Sequence, residues 1–322
     1  MRSLSPVLSI VIALFGLVAI APAFAQNTGG PLSDFNIPGL RGYAPPIPES
    51  PLAESELGEI VLEAQLTKDS PPLRNGMVWR IFKPETGPDG KLPMIATAKG
   101  GDGIFRLPPG SYLVHAAYGR AGATKRITVS KDKKMDSLIL DAGGLKLDAI
   151  LPGGLKIPSQ KLRFSIYERS GDADNDRALI IPNVAPGRIV RLNAGTYHVV
   201  STYGHVNAVI RSDIRVVAGK LTEATVEHRA AQVTLKLVRD KGGEAIADTA
   251  WSVETDSGDV VRESVGAFSS MVLAEGNYTV IAKNRDKVYT RALEVVAGRN
   301  QDVEVLTTET PPANTEDTAK FD

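Results

Sequence analysis

An alternation of apolar and polar positions appears three times along this chain. Ile60, Leu62, Ala64 and Leu66 alternate with other residues, Leu145, Leu147, Ala149 and Leu151 repeat the pattern, and Val233, Leu235 and Leu237 begin it again. A period of two puts each set on one face of an extended strand. Each run is followed by a turn-rich stretch and an aromatic strand: Trp79-Arg80-Ile81-Phe82, Phe164-Ser165-Ile166-Tyr167 and Trp251-Ser252-Val253-Glu254. One bulky ring at an equivalent place in each unit predicts the plug of a two-sheet core.

A connecting strand then leads into a recurring corner. Leu107-Pro108-Pro109-Gly110-Ser111-Tyr112-Leu113-Val114 returns as Leu192-Asn193-Ala194-Gly195-Thr196-Tyr197-His198-Val199 and as Leu273-Ala274-Glu275-Gly276-Asn277-Tyr278-Thr279-Val280. The Gly is expected to make a tight turn at positive φ. The Tyr starts the next strand, and its hydroxyl is expected to reach backbone a few residues upstream, as in the tyrosine corner of Greek-key sandwiches. After each corner a hairpin turns through Gly119-Arg120-Ala121-Gly122, Gly204-His205-Val206-Asn207 or Asn284-Arg285-Asp286-Lys287. Val216-Val217-Ala218-Gly219-Lys220 and Val295-Val296-Ala297-Gly298-Arg299 mark a further turn before a closing strand, with Ser130-Lys131 replacing Ala-Gly in the first copy. No segment of the mature chain keeps a 3.6-residue period over the length a helix needs. Short strands with turn signals between them predict β-sandwiches.

The succession of first strand, aromatic strand, LxxGxYxV corner, hairpin and late turn resembles the carboxypeptidase-regulatory-like and related transthyretin-like modules, which recur in bacterial envelope proteins. The resemblance covers residues 57–307 and rests on Leu107/Gly110/Tyr112, Leu192/Gly195/Tyr197 and Leu273/Gly276/Tyr278. It implies an all-β chain of three tandem Greek-key β-sandwich (Ig-like or transthyretin-like) modules, at 57–142, 143–230 and 231–307. These residues specify a fold and carry no catalytic group across. Short joins predict modules that abut in file, giving a particle on the order of 100 Å long.

The ends of the chain read differently. Arg2, the apolar run from Val7 to Ala21 and Ala23-Phe24-Ala25 form a signal-peptide pattern over residues 1–25, with cleavage expected before Gln26. That run is shorter than the ~20 residues a spanning helix needs. Residues 26–56, ending in Ala44-Pro45-Pro46-Ile47-Pro48-Glu49-Ser50-Pro51, read as an extended Pro/Gly-rich linker, and 308–322 as a disordered tail. With no cysteine in the chain, stability must come from packed cores. Lys and Arg (37) balance Asp and Glu (37), which gives no electrostatic argument for nucleic acid.

Candidate chemistry is sparse. His115, His198, His205 and His228 show no metal-ligand spacing and are expected to be solvated strand or loop residues. Asp172, Asp174 and Asp176 alternate like the first half of a Ca²⁺ loop, but Arg177 stands where such a loop needs Gly and Asn183 where it needs Glu. A solvated hairpin turn is the expectation there, and no cofactor or metal is expected in the chain. Lys146 and Lys236, out of phase with the apolar set, are expected to face solvent rather than form an isopeptide bond. Partner contacts are assigned to the hairpin tips through Arg120, His205 and Arg285, because binding residues concentrate on loops held by a rigid frame.

The resulting expectation is a non-enzymatic exported protein, periplasmic or secreted and not integral to the membrane, acting as a modular scaffold for an envelope protein. The alternative is a carbohydrate- or polymer-binding accessory protein that uses aromatic faces. Exposure of Tyr118 and Tyr203 separates the two.

Overall fold

The computed structural model describes residues 43–44, 57–169 and 177–308. Among the described residues the regular structure is strand, apart from single 3₁₀ turns at Pro152–Gly154 and Ser159–Lys161. β1 (Tyr43–Ala44) precedes the first unit, which comprises β2 (Gly58–Gln65), β3 (Met77–Phe82), β4 (Leu92–Gly100), β5 (Gly103–Leu107), β6 (Gly110–Tyr118), β7 (Ala121–Val129) and β8 (Lys134–Ile139). The second comprises β9 (Ala142–Leu151), β10 (Leu155–Lys156), β11 (Leu162–Glu168), β12 (Leu179–Val184), β13 (Ile189–Asn193), β14 (Gly195–Tyr203), β15 (Val209–Val216) and β16 (Leu221–Glu227). The third comprises β17 (Ala230–Val238), β18 (Ala250–Thr255), β19 (Val260–Val265), β20 (Phe268–Ala274), β21 (Gly276–Asn284), β22 (Lys287–Val295) and β23 (Gln301–Leu306).

Each unit is a sandwich of two sheets. One is built on the first strand, flanked antiparallel by the strand entering the corner and parallel by the closing strand: β5-β2-β8, β13-β9-β16 and β20-β17-β23. The other runs β4-β3-β6-β7, β12-β11-β14-β15 and β19-β18-β21-β22. The alternating residues face inward, and Ile60, Leu62, Leu145, Leu147, Val233 and Leu235 lose essentially all their exposure. Burying each such side chain contributes about 1.5–3 kcal/mol. Trp79, Phe164 and Trp251 are likewise enclosed, one in each of three hydrophobic clusters. The Trp79 indole donates to the Gly101 carbonyl at 2.8 Å and the Trp251 indole to that of Gly266 at 2.9 Å, so neither N–H is left dry.

The tyrosine corner is present in all three units. Tyr112 donates to the Pro108 carbonyl (2.8 Å), Tyr197 to that of Asn193 (2.8 Å) and Tyr278 to that of Ala274 (2.9 Å). The adjoining glycine has the expected positive φ in two of the three copies. Gly276 stands at φ +150° and Gly195 at +158°, while Gly110 is not at positive φ. The chain is extended or nearly so at this point, and the Tyr ring two residues on lies across the glycine, within about 4 Å of where a Cβ would stand.

Two residues within the expected linker pair with the first unit. β1 pairs in parallel with β4, Tyr43 opposite Leu92 and Ala44 opposite Pro93. Pro93 leaves that edge one donor short, and two residues of pairing cover part of it. Lys146 and Lys236 lie on the outer faces, ion-paired to Glu223 (3.0 Å) and Glu304 (2.8 Å).

Candidate functional site at the module joints

The hairpin tips are where neighbouring modules meet. The first tip, between β6 and β7, lies against the end of β13. The Arg120 amide donates to the Arg191 carbonyl at 3.1 Å. Asn193 clasps Gly122 with both ends of its side-chain amide: Oδ1 accepts from the Gly122 N–H and Nδ2 donates to the Gly122 carbonyl, each at 3.1 Å. Nδ2 also donates to the Leu140 carbonyl at 2.7 Å. The Arg191 guanidinium sits 4.4 Å from the centre of the Tyr118 ring. A Cβ on Gly119 would come within 3.0 Å of Arg191 Cβ, so a residue without one lets the tip close on its neighbour.

The second tip repeats the device with other residues. A Cβ on Gly204 would stand 2.7 Å from Val272 Cβ. Asn207 accepts from the Ala274 amide through Oδ1 and donates through Nδ2 to the Tyr278 hydroxyl, both at 2.9 Å. Val272 of β20 packs into the second module's core, and Val206 of the second tip packs against the third's. The Lys161 ammonium donates to the Gln232 side-chain oxygen across the same joint. The third tip differs. Arg285, Asp286 and Lys287 are exposed, Arg285 holds φ +53°, and Asn284 bonds within its own module to the Ala247 carbonyl (2.8 Å).

The three residues assigned to partner contact therefore sit in unlike surroundings. The side chains of Arg120, His205 and Arg285 are all exposed. The tips carrying the first two hold a neighbouring module, whereas the third holds none among the described residues. Asp172, Asp174 and Asp176 lie outside the described residues; within those residues no cluster of His, Asp and Glu could hold a metal ion.

The histidines depart from expectation. Only His205 is solvated; His115, His198 and His228 are 4%, 8% and 1% exposed. His115 lies on the outer face, as its parity requires, but beside Gly122 and opposite Thr124, whose hydroxyl is 3.1 Å from its Nδ1. Burial, with the nearby Arg80 charge, lowers its pKa to about 4. His198 is covered by its cross-strand neighbours Tyr167 and Asp213, and its Nδ1 lies 2.8 Å from the Asp213 carboxylate. That hydrogen bond holds Asp213 below the ordinary carboxylate range. His228 closes the end of the second core just before β17. Its Nε2 shares a 2.7 Å hydrogen bond with Ser201, the Tyr203 ring meets it edge-on at 5.9 Å, and burial lowers its pKa to about 4.

A Ser–His contact invites comparison with a catalytic pair, but Ser201 and His228 are each 1% exposed. A nucleophile needs room for substrate, and this pair instead satisfies a polar residue that strand parity places in the core.

Asn193 and Asn207 are the joint residues that sequence reasoning missed. The signal was in the repeats: Asn193 stands where the other copies have Pro108 and Ala274, and Asn207 where the first has Gly122.

Two grooves flank the joints. The first, of about 360 Å³, runs between the first tip and the β12–β13 hairpin and is lined by Arg120, Arg188 and Arg191 with Ile181, Pro182 and Val190. The second, of about 180 Å³, is lined by Lys161, His205, Arg262, Gln232, Ser270 and Val272. Among the described residues no carboxylate lines either one.

Comparison with known proteins gives one family match. Residues 232–307 match the Rhizobiales growth-associated tandem repeat domain, which covers the third module. No curated protein matches the chain. Among solved structures, the streptococcal ancillary pilin is 12% identical with a TM-score of 0.30, covering 80% of this chain and 100% of that one. The minor pilin GBS52 of Streptococcus agalactiae is 14% identical with a TM-score of 0.30, covering 53% and 95%. The Bacillus anthracis TIE protein is 15% identical with a TM-score of 0.24 over 78% of this chain, which spans half of that protein's length. The sheets themselves show a chain of repeated all-β sandwich modules, and the family matched over residues 232–307 is described as a tandem repeat.

Proposed function

We propose that the protein is a non-enzymatic, exported scaffold of the bacterial envelope, a strut of three coupled sandwiches at 57–142, 143–230 and 231–307 that presents a protein-binding end. The observation that carries this reading is the use of two hairpin tips as joints, with backbone and side-chain hydrogen bonds on both sides of each contact. Such joints resist bending more than a bare linker of a few residues does. The signal-peptide pattern of residues 1–25 supports export to the periplasm or medium. The matched repeat, described as growth-associated in Rhizobiales, supports a partner connected with growth. On this reading the partner meets the third tip at Arg285, the tip that holds no further module among the described residues.

The aromatic glycan-binding alternative loses its requirement. Tyr203 is 3% exposed, and Tyr118 lies beneath Arg191 at the first joint.

The test is capture of envelope proteins on the mature chain and on its Arg285→Ala and Asp286→Ala variants. A partner held by the mature chain and released by either variant, with the melting temperature unchanged, supports the reading. Equal capture by all three chains removes the third tip as the binding end.

A further inference from the structure

The joint grooves suggest a ligand of their own. Arg120, Arg188 and Arg191 converge on the first groove, and none has an acidic partner among the described residues. In a chain whose formal charges sum to zero, three cations around one concavity without a carboxylate are a local departure from balance. Arginine's planar fork suits carboxylates and phosphates, which it binds through two parallel N–H donors. The Arg191 guanidinium is held over the Tyr118 ring by a cation–π contact that uses none of its N–H donors.

The rest of the lining narrows the class. Ile181, Pro182, Val184 and Val190 form an apolar wall, and about 360 Å³ is far more than one oxyanion fills. A ring with an apolar face and a carboxylate on its rim matches that combination. Asn183 stands at the lip with φ +54°, where the β11–β12 pairing slips by one residue. Bulges of this kind commonly re-aim side chains beside binding sites. Among the described residues the lining contains no aromatic ring on which nucleic-acid bases could stack.

The second joint bears an equivalent groove, again between a hairpin tip and the corner-entering strand, with Lys161 and Arg262 as its cations and the His205 ring beside them. Two such grooves about one module apart, on the order of 30 Å, favour a linear ligand that reaches both. We propose that the joint grooves bind an acidic polysaccharide, a chain of carboxylate-bearing sugars laid along the strut.

The experiment is calorimetric titration of the mature chain with short and long oligogalacturonates, alongside neutral cello-oligosaccharides, polyphosphate and oligothymidylate. The long acidic oligomer should bind at least tenfold more tightly than the short one. Its affinity should fall as NaCl rises, and the neutral sugar should give no heat. Arg120→Ala/Arg188→Ala should weaken binding at least tenfold with an unchanged melting curve. Should that variant unfold, amide shift changes in the unaltered chain should map to residues 119–120, 181–191 and 204–206. The proposal is overturned by absence of binding to oligogalacturonate at millimolar concentration. Equal binding of the neutral sugar, tighter binding of polyphosphate or oligothymidylate, or shifts confined elsewhere would also overturn it. Partner capture at the third tip is a separate readout, so the two proposals fail independently.

Discussion

Stability of this protein should fall as pH drops from 7 to 5, and much of the loss should trace to His228. The ring is 1% exposed and carries a pKa lowered to about 4 by burial. In the unfolded chain it titrates near 6.5. Between those values the unfolded state binds a proton that the folded state refuses, so stability rises with pH across the window. The contribution is fully present above about pH 6.5 and is lost as pH falls toward 4. From pH 6.5 to 5 the difference is about 1.4 kcal/mol per pH unit, roughly 2 kcal/mol. Allowing for water at the module's end leaves about 1–2 kcal/mol. His228→Gln keeps a hydrogen-bonding group near Ser201 and removes the titration. Urea unfolding at pH 7.5 and 5.0 should therefore show a pH dependence smaller in the variant by about 1–2 kcal/mol. His115 shifts in the same direction and stays in both proteins, so some dependence should persist. Holding the pH at or above 5 keeps the lowered carboxylates, Glu59, Asp136, Asp213, Glu275 and Glu304, out of the comparison. An identical pH dependence in the two proteins would mean that His228 is solvated in the folded state, and the account of this joint would be wrong.

Three further outcomes are expected. Asn207→Ala removes two hydrogen bonds at the second joint and should cost about 1–3 kcal/mol. Calorimetry should then resolve the third module's transition from the second's, and one undivided transition would contradict the joint's role. Tyr112→Phe and Tyr197→Phe should each cost about 0.5–1.5 kcal/mol in their own modules. Tyr278→Phe should cost more, because its hydroxyl also accepts from Asn207, and equal losses at all three sites would sink that distinction. Arg285→Gly should raise stability by about 1 kcal/mol, since φ +53° costs a residue with a Cβ and costs glycine little. A lower melting temperature in that variant would show that the Arg285 side chain contributes more than its backbone strain takes away.

The sandwiches were legible because their determinants are local. A period of two selects the inward residues, and one ring per module fills the space between sheets. A Tyr four residues beyond its acceptor closes each corner. The histidines were not legible by the same rule. Parity places His198 outside its sheet, but the cover comes from Tyr167 and Asp213 on flanking strands, and register across strands decides it. Ser201 shows the complementary case. Its parity points inward, and the partner that makes a buried hydroxyl tolerable is His228, in the join to the next module.

The joints were hidden because hairpin tips read as exposed loops whether or not a neighbour covers them. What separates them is how one copy departs from the others. Gly219 holds φ +70°, and a Cβ there would come within 3.1 Å of Thr67 in the preceding module. Gly298 holds φ +75° and faces Pro152 and Leu155 of the module before it. In the first module the same turn is one residue shorter, four residues between Val129 and Lys134 against five between Val216 and Thr222, and it contains no glycine. It carries Ser130, Lys131, Asp132 and Lys133 instead, with Lys133 and Arg106 both paired to Glu59 at 2.8 and 3.6 Å. A turn that must slide under a neighbour needs glycine and a smooth surface, whereas one that faces water is best served by charge. The first module's charged turn is exposed among the described residues by the same logic that makes the later turns joints.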